Sequence, residues 1–273
     1  MGELQPGLYV VATPIGNLGD LSPRARDVLR DAAIVAAEDT RTTATLLRMA
    51  GSSARAVSLT EHNVDARIPE LLAAAEESAV ALVSDAGTPV VADPGARLVE
   101  AAHARGVRVF AIPGPSALAA AISVAGFEGT SVQFLGFLPR PKGERAETLR
   151  RAAASARVLV FFESPNRLEA TLQELAELFD DPEAVVCREL TKVHEEVVRG
   201  RASELAERFA KTRGECTVVV RVPERPDSEL DDVREYMKEM QRAGARRSAA
   251  AVEAARRFGV SKDVAYGMWD EDA

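Results

Sequence analysis

What most limits the folds open to this chain is the regular return of short, β-branched apolar runs separated by stretches of helical period. The runs are Leu8–Ala12, Ile34–Ala37, Val80–Ser84 and Val107–Ile112, then Val158–Phe162, Ala184–Cys187 and Thr217–Val222. Strand-like runs alternating with helical segments mean α/β units. The amphipathic segments between the early runs, such as Ser22–Ala32 and Arg67–Glu77, are long enough to cross between parallel strands. The N-terminal half is expected to be a parallel sheet covered on both faces. After Phe127 the texture changes: Glu128–Gly143 is rich in Gly and Pro, and a second strand-helix series follows. In that series Ala184–Leu190, Lys192–Arg199 and Glu215–Val222 lie close enough in sequence to be antiparallel neighbours, so its sheet is expected to be mixed. Beyond Pro223–Pro226 every segment reads as helix. The expected organisation is an α/β protein with an N-terminal domain over 1–125, a second over 126–224 and a helical tail over 225–273.

Composition narrows the class. The chain has 273 residues, 47% hydrophobic and 28% charged, enough for a packed enzyme-sized body and unlike a disordered or fibrous one. No window approaches the roughly 18 apolar residues of a membrane helix, and MGELQPG has neither a basic nor an apolar leader region, so the cytosol is the expected place and no membrane partner is expected. A net charge of −8 argues against indiscriminate coating of nucleic acid. Locally the balance reverses, with six basic against two acidic residues over Arg140–Arg157 and six against one over Arg242–Lys262. Each stretch is either a polyanion contact or a solvated helix face. Cys187 and Cys216 sit inside apolar strand runs and read as buried thiols, and the three histidines, His62, His103 and His194, are too scattered for a metal site.

Three loops collect Gly and Pro directly after a strand, where open α/β sheets bind ligands. The first is Ala12–Asp20, ATPIGNLGD, which lacks the GxGxxG spacing of dinucleotide folds and is followed by Ser22 as a helix cap with Pro23 at the first helical position. The second is Ser84–Gly95, SDAGTPVVADPG, in which Asp85 is placed to accept hydrogen bonds from a ligand and Asp93-Pro94 either does the same or caps the next helix. The third is Ile112–Ala117, IPGPSA, whose Ser116 caps a helix, faces a ligand, or does both. No Walker lysine loop is present, so a snug apolar pocket with a few polar anchors is the expected site rather than a phosphate cradle.

Together TPIGNLGDLSPRA, EDTR, VSDAGTPVVADPG, IPGPSA, FLGFLPR, FFESPNR, RELTKVHEE and GECTVVV resemble the tetrapyrrole-methylase fold. Within it the chain is similar to the bacterial 16S ribosomal RNA cytidine ribose 2′-O-methyltransferases, over about Leu8 to Val222 with a weaker echo in the tail. The resemblance implies a two-domain enzyme, usually a homodimer, that holds S-adenosyl-L-methionine in the cleft between its domains. It implies 16S ribosomal RNA within the 30S subunit as substrate, at the decoding-centre cytidine 1402. Carried over by position, the cofactor would be lined from the first domain by Pro14, Ile15 and Gly16, by Ser84, Asp85, Ala86, Gly87, Thr88 and Pro89, and by Pro113, Gly114, Ser116 and Ala117. Phe162, Glu163, Thr191, Gly214 and Glu215 would close it from the second. The rivals are another methylase of this fold, of corrin or diphthine type, and a non-catalytic RNA-binding assembly factor.

Methyl transfer to a ribose hydroxyl is an in-line displacement helped by a base or by a cation beside the developing alkoxide. Lys192 is the first candidate, then Glu163, with Glu189 and Glu195 nearby; the alternative for Lys192 is a plain ion pair with Glu189 or Glu195. Arg41, in EDTR after the second strand, has the fork geometry for a phosphate. Arg140, Lys142, Arg145, Arg246 and Arg247 are the RNA-binding candidates of the two basic stretches. Asn63 is read as a helix cap. In the tail, two short helices joined by Gly259, with Ser261 capping the second, make a helix-turn-helix-like unit that either meets RNA or packs and dimerises. Its acidic end, WDEDA, would repel RNA.

Overall fold

The computed structural model describes residues 4–128, 131–223, 227–260 and 262–269. Its contacts form two compact units, one comprising the chain up to Ala120 together with Glu189–Glu195, the other comprising Ala121–Arg188 and the chain from Glu196 onward.

The first unit carries five strands, β1 (Gly7–Val11), β2 (Ile34–Ala37), β3 (Arg55–Ser58), β4 (Ala79–Val83) and β5 (Val109–Ile112), all parallel in the order β3-β2-β4-β1-β5. The crossover helices are α1 (Pro23–Asp31), α2 (Thr40–Ala50), α3 (Val64–Glu77) and α4 (Ala96–Arg105), and α5 (Ala117–Ala125) follows β5. α1 and α2 bury their apolar stripes against Tyr9, Val11, Val35, Ala81 and Val83, while α3 and α4 cover Leu8, Ala36, Val80 and Leu82 on the other face. Burial on both faces is why β1, β2 and β4 read as unbroken apolar runs. Ser22 caps α1 as expected, its Oγ accepting the Ala25 N–H at 3.1 Å. Asn63 does not cap α3 with its side chain; it accepts the Thr60 N–H at 2.8 Å and donates to the Ser58 carbonyl at 3.2 Å, closing the turn before the helix instead.

The second unit holds β6 (Val132–Phe137), β7 (Val158–Glu163), β8 (Glu183–Arg188), β9 (Glu196–Arg201) and β10 (Cys216–Arg221) in the order β6-β7-β10-β8-β9. β6 and β7 are parallel and the remaining pairs antiparallel, so this sheet is mixed, as the spacing predicts. Helices α6 (Lys142–Ala153), α7 (Pro165–Leu178) and α8 (Ala202–Arg208) cover one face through Leu149, Leu168, Leu172, Leu175 and Leu205. The strand expected over Lys192–Arg199 begins only at Glu196, because the residues before it turn away to join the first unit.

The tail forms α9 (Asp227–Arg242), α10 (Arg247–Phe258) and α11 (Lys262–Gly267) around its own core of Val233, Met237, Ala250, Ala251, Ala254, Val260, Ala265 and Met268. Gly259, left-handed at φ 63°, makes the α10–α11 turn. The expected Ser261 cap and most of the acidic WDEDA end lie outside the described residues.

Candidate active site

In the parallel sheet β4 lies between β2 and β1, yet the chain leaves β2 and β1 toward one face and β4 toward the other. Departures to opposite faces open a crevice at the carboxyl ends, the usual ligand position in such sheets. The loops there are stitched to one another. Thr13 and Gly87 exchange backbone hydrogen bonds at 2.8 and 3.1 Å, tying the loop after β1 to that after β4. Thr88 Oγ1 donates to the Pro115 carbonyl at 3.1 Å, adding the loop after β5. The Asp39 N–H donates to Asp85 Oδ1 at 3.0 Å, adding the loop after β2. Pro14, Ile15, Gly16, Ser84, Asp85, Ala86, Gly87, Thr88, Pro89, Pro113, Gly114, Ser116 and Ala117 all belong to this stitched set. Ser116 takes the capping role, accepting the Ala119 N–H at 3.4 Å.

The rim is acidic. Burial pushes the Glu38 carboxyl up, and the nearby charges of Asp85, Asp93 and Glu61 push it further. Asp93 is raised chiefly by burial, with Asp85 adding to the shift and a hydrogen bond with Ser84 opposing it. Asp93 does not cap the next helix: α4 starts from Gly95 with no side-chain cap. Asp39 is held down to about 2, first by the Arg41 side chain and then by the Arg41 backbone N–H. In the same loop Val90 and Ala92 are left-handed, at φ 74° and 65°. Side chains of this kind avoid that region at a cost of about 1–3 kcal/mol each, so surrounding structure holds them there.

Glu189–Glu195 packs onto the first of these loops. An ideal Cβ on Gly16 would overlap Lys192 Cγ and fall 2.9 Å from Thr191 Oγ1 and 3.1 Å from the Leu190 carbonyl, so only glycine admits this segment so closely. Glu189 and Thr191 are left-handed, at φ 51° and 67°. Lys192 Nζ pairs with Glu189 at 2.9 Å. Thr191 Oγ1 is buried with no hydrogen-bond partner among the described residues.

In the second unit the pairings Cys216↔Glu163 and Cys216↔Arg188 bring Phe162, Glu163, Gly214 and Glu215 to one end of the sheet, where the chain leaves for Glu189–Glu195. Glu163 is 2% exposed, and its carboxylate accepts the Ser164 N–H and the Thr171 hydroxyl, each at 2.8 Å, and pairs with Arg167 at 3.3 Å. A carboxylate so occupied holds the start of α7 and is not placed to take a proton from a substrate. Arg145, a candidate RNA contact in the sequence, is also buried: it pairs with Glu174 at 2.6 Å and donates to the Arg140 carbonyl at 3.0 Å. Burial removes it from any polyanion surface. Arg140 and Lys142 remain exposed, Lys142 paired with Glu177 at 3.0 Å. Arg41 is 90% exposed and paired with Asp39 at 2.8 Å. In the tail Arg246 is exposed, whereas Arg247 lies over the Tyr266 ring at 3.9 Å and donates to the Tyr266 carbonyl, joining α10 to α11. Glu163 at the end of β7 joins Arg167 and Thr171 of α7, and Arg167 shares the Pro139 carbonyl with Arg145, the partner of Glu174; the sequence reading did not foresee this network, although Arg167, Thr171 and Glu174 are spaced four and three apart on one helical face. No three His, Cys, Asp or Glu side chains gather for a metal among the described residues.

The stitched loops and the two-sheet architecture define a class, that of the tetrapyrrole (corrin/porphyrin) methylases, whose family profile matches residues 7–206. Uroporphyrin-III C-methyltransferase from Thermus thermophilus, solved in complex with S-adenosylhomocysteine, shares the fold at a TM-score of 0.56 and 22% identity, over 78% of this chain and 96% of that one. The chain belongs, within that class, to the family named ribosomal RNA small subunit methyltransferase I. The relative from Thermotoga maritima is 45% identical over 216 residues, 78% of this chain and 97% of the relative. That from Mesorhizobium japonicum is 42% identical over 268 residues, 96% of this chain and 91% of the relative.

Proposed function

We propose that this chain is an S-adenosylmethionine-dependent methyltransferase of small-subunit ribosomal RNA, and that its acceptor is a ribose 2′-hydroxyl, that of the decoding-centre cytidine 1402. The observation that carries the reading is the stitched set of loops after β1, β4 and β5, in a chain 45% identical to a relative named for this activity. The fit can be judged from chemistry. The loops present backbone groups, prolines and Ile15 around an acidic rim, with the unpartnered Thr191 hydroxyl held against Gly16. That environment suits a nucleoside with a positively charged centre and opposes a phosphate.

S-adenosylmethionine, when bound, supplies a methyl group on a sulfonium. Pro14–Gly16, Ser84–Pro89 and Pro113–Ala117 would hold it, with Asp85 acting through the Asp39 loop that it also anchors. Positioning is the main work of such a site, because alignment of donor carbon and acceptor oxygen supplies much of the rate. Lys192 is the group that meets the acceptor: its ammonium stabilises the oxygen as the proton leaves, or the amine takes that proton. Gly16 and the Glu189 pair hold it in place. Arg41, Arg140 and Arg246 supply exposed charge for RNA phosphates.

The test is incubation with radiolabelled S-adenosylmethionine and 30S subunits that lack the modification, followed by mapping of the label. Label on one cytidine whose 3′ linkage has become resistant to alkali supports the reading. Label on a base removes the ribose assignment, and label on protein or none at all removes the RNA substrate.

A further inference from the structure

β6 ends in an irregularity. Phe134 pairs with Val160 and Phe137 with Phe162, so three residues of β6 advance against two of β7. The extra residue is accommodated at Gly136, left-handed at φ 61°. In a regular strand, residues three apart point to opposite faces. The bulge cancels that alternation and returns Phe137 to the face of Phe134, so that both rings meet Phe162 edge-on, at 5.5 and 5.0 Å. Leu135, between them, packs into the core beneath the helices.

The outcome is an apolar ring aimed at solvent, with Phe137 62% exposed. A lone exposed hydrophobe is ordinary and needs no explanation. Phe137 differs because so much structure holds the chain around it. Arg167 donates to the carbonyls of Leu138 and Pro139 at 2.9 and 3.1 Å, and Arg145 donates to that of Arg140 at 3.0 Å. Those guanidiniums are themselves held by the buried carboxylates Glu163 and Glu174. The network that withdraws Glu163 and Arg145 from catalysis and RNA contact thus clamps Leu138–Arg140, the segment that sets the exit of Phe137 and presents the exposed Arg140 three residues on.

We infer that Phe137, backed by Phe162 and Phe134, is a stacking platform for an unpaired base of the RNA substrate, with Arg140 meeting the adjoining phosphate. This rests on the RNA reading given above. Charge favours that occupant: an exposed ring followed three residues on by an exposed guanidinium matches a base and its neighbouring phosphate, and aromatic stacking on unpaired bases is the common mode of single-stranded RNA recognition.

The experiment measures binding of the full chain to a fluorescein-labelled single-stranded RNA of mixed sequence, and to unmodified 30S subunits, across a salt titration. Phe137→Ala is expected to weaken RNA binding by about 5- to 100-fold at each salt concentration without changing the salt slope. Phe137→Trp is expected to preserve binding. Arg140→Ala is expected to flatten the slope by about one counterion. Binding of S-adenosylhomocysteine, followed by calorimetry, should be unchanged in all three. Parent-like affinity in Phe137→Ala overturns the platform, as does full rescue by Phe137→Leu, which restores apolar bulk without a π-face. A change in sedimentation of Phe137→Ala with RNA affinity intact would assign the ring to a second copy of the chain instead. If the parent itself binds neither RNA nor subunits, the RNA reading fails and the platform falls with it; a parent that binds and a Phe137→Ala that binds equally well remove the platform alone.

Discussion

Gly16→Ala is the sharpest perturbation the structure offers. The φ of Gly16 lies outside the left-handed region, so the backbone accepts alanine and only the new methyl group matters. That methyl would overlap Lys192 Cγ and sit 2.9 Å from Thr191 Oγ1 and 3.1 Å from the Leu190 carbonyl. Carbon contacts settle at about 3.5–4.0 Å, so the Lys192 stem must retreat by about 1 Å or more. The Leu190 carbonyl is main chain and yields only if the whole turn moves. Were the segment rigid, overpacking would cost about 1–3 kcal/mol. Its tip is exposed at Val193, so an outward shift meets solvent there, and the expected loss of global stability lies toward the low end of that range. The cost should fall on chemistry instead, because a displacement of about 1 Å in a positioned group lowers a rate by about 10²-fold. Gly143→Ala is the control: a Cβ there meets nothing within 4 Å, and in the first turn of α6 alanine should be neutral or stabilise by no more than about 1 kcal/mol. Urea denaturation reads stability, and single-turnover methylation of unmodified 30S subunits reads positioning. If Gly16→Ala methylates at the parent rate, the Glu189–Glu195 segment does not position a reacting group and the argument from close approach is refuted.

Lys192→Met should lower single-turnover methylation by about 10²-fold or more while leaving S-adenosylhomocysteine and subunit affinity unchanged; a near-parent rate would leave Lys192 as only the ion-pair partner of Glu189. Glu38, raised by burial and by Asp85, Asp93 and Glu61, favours folding when protonated, so its contribution is whole below the unfolded carboxyl value of 4.5 and is lost as pH rises through the higher native value. Glu38→Gln should therefore match the parent in urea midpoint near pH 4 and exceed it increasingly toward neutrality; a gap that stays constant with pH would contradict the assignment. Arg145→Met strands the buried Glu174 carboxylate and should cost about 3–5 kcal/mol, whereas Arg145→Met with Glu174→Leu should recover most of it. Equal stability in the single and double variants would show that the pair is not what holds this site.

By itself the sequence determined the strands that are buried on both faces, because short β-branched apolar runs bounded by turn residues favour a buried strand over a helix. Ile34–Ala37 is the clearest, with every residue buried. It also determined the loops of the first unit, since Gly, Pro and Ser after a strand mark turns and caps through local chemistry alone, and the family resemblance drew on those loops together with FLGFLPR, FFESPNR, RELTKVHEE and GECTVVV. Two of the edge strands escaped it, whereas those at Val109–Ile112 and Glu196–Arg201 were legible in part. Arg55–Ser58 is short, charged and half-covered, and Val132–Phe137 lies in a segment whose Gly and Pro read as loop, because edge strands owe their state to a neighbour's hydrogen bonds more than to their own apolar content. Charge was legible in amount but not in use. Nothing local separates the buried Arg145 from the exposed Arg140, or tells that Glu163 spends its oxygens on Ser164, Thr171 and Arg167. Those roles depend on residues up to 29 positions apart brought within hydrogen-bond reach, and only tertiary packing decides which charges are desolvated and paired and which are left to meet a ligand.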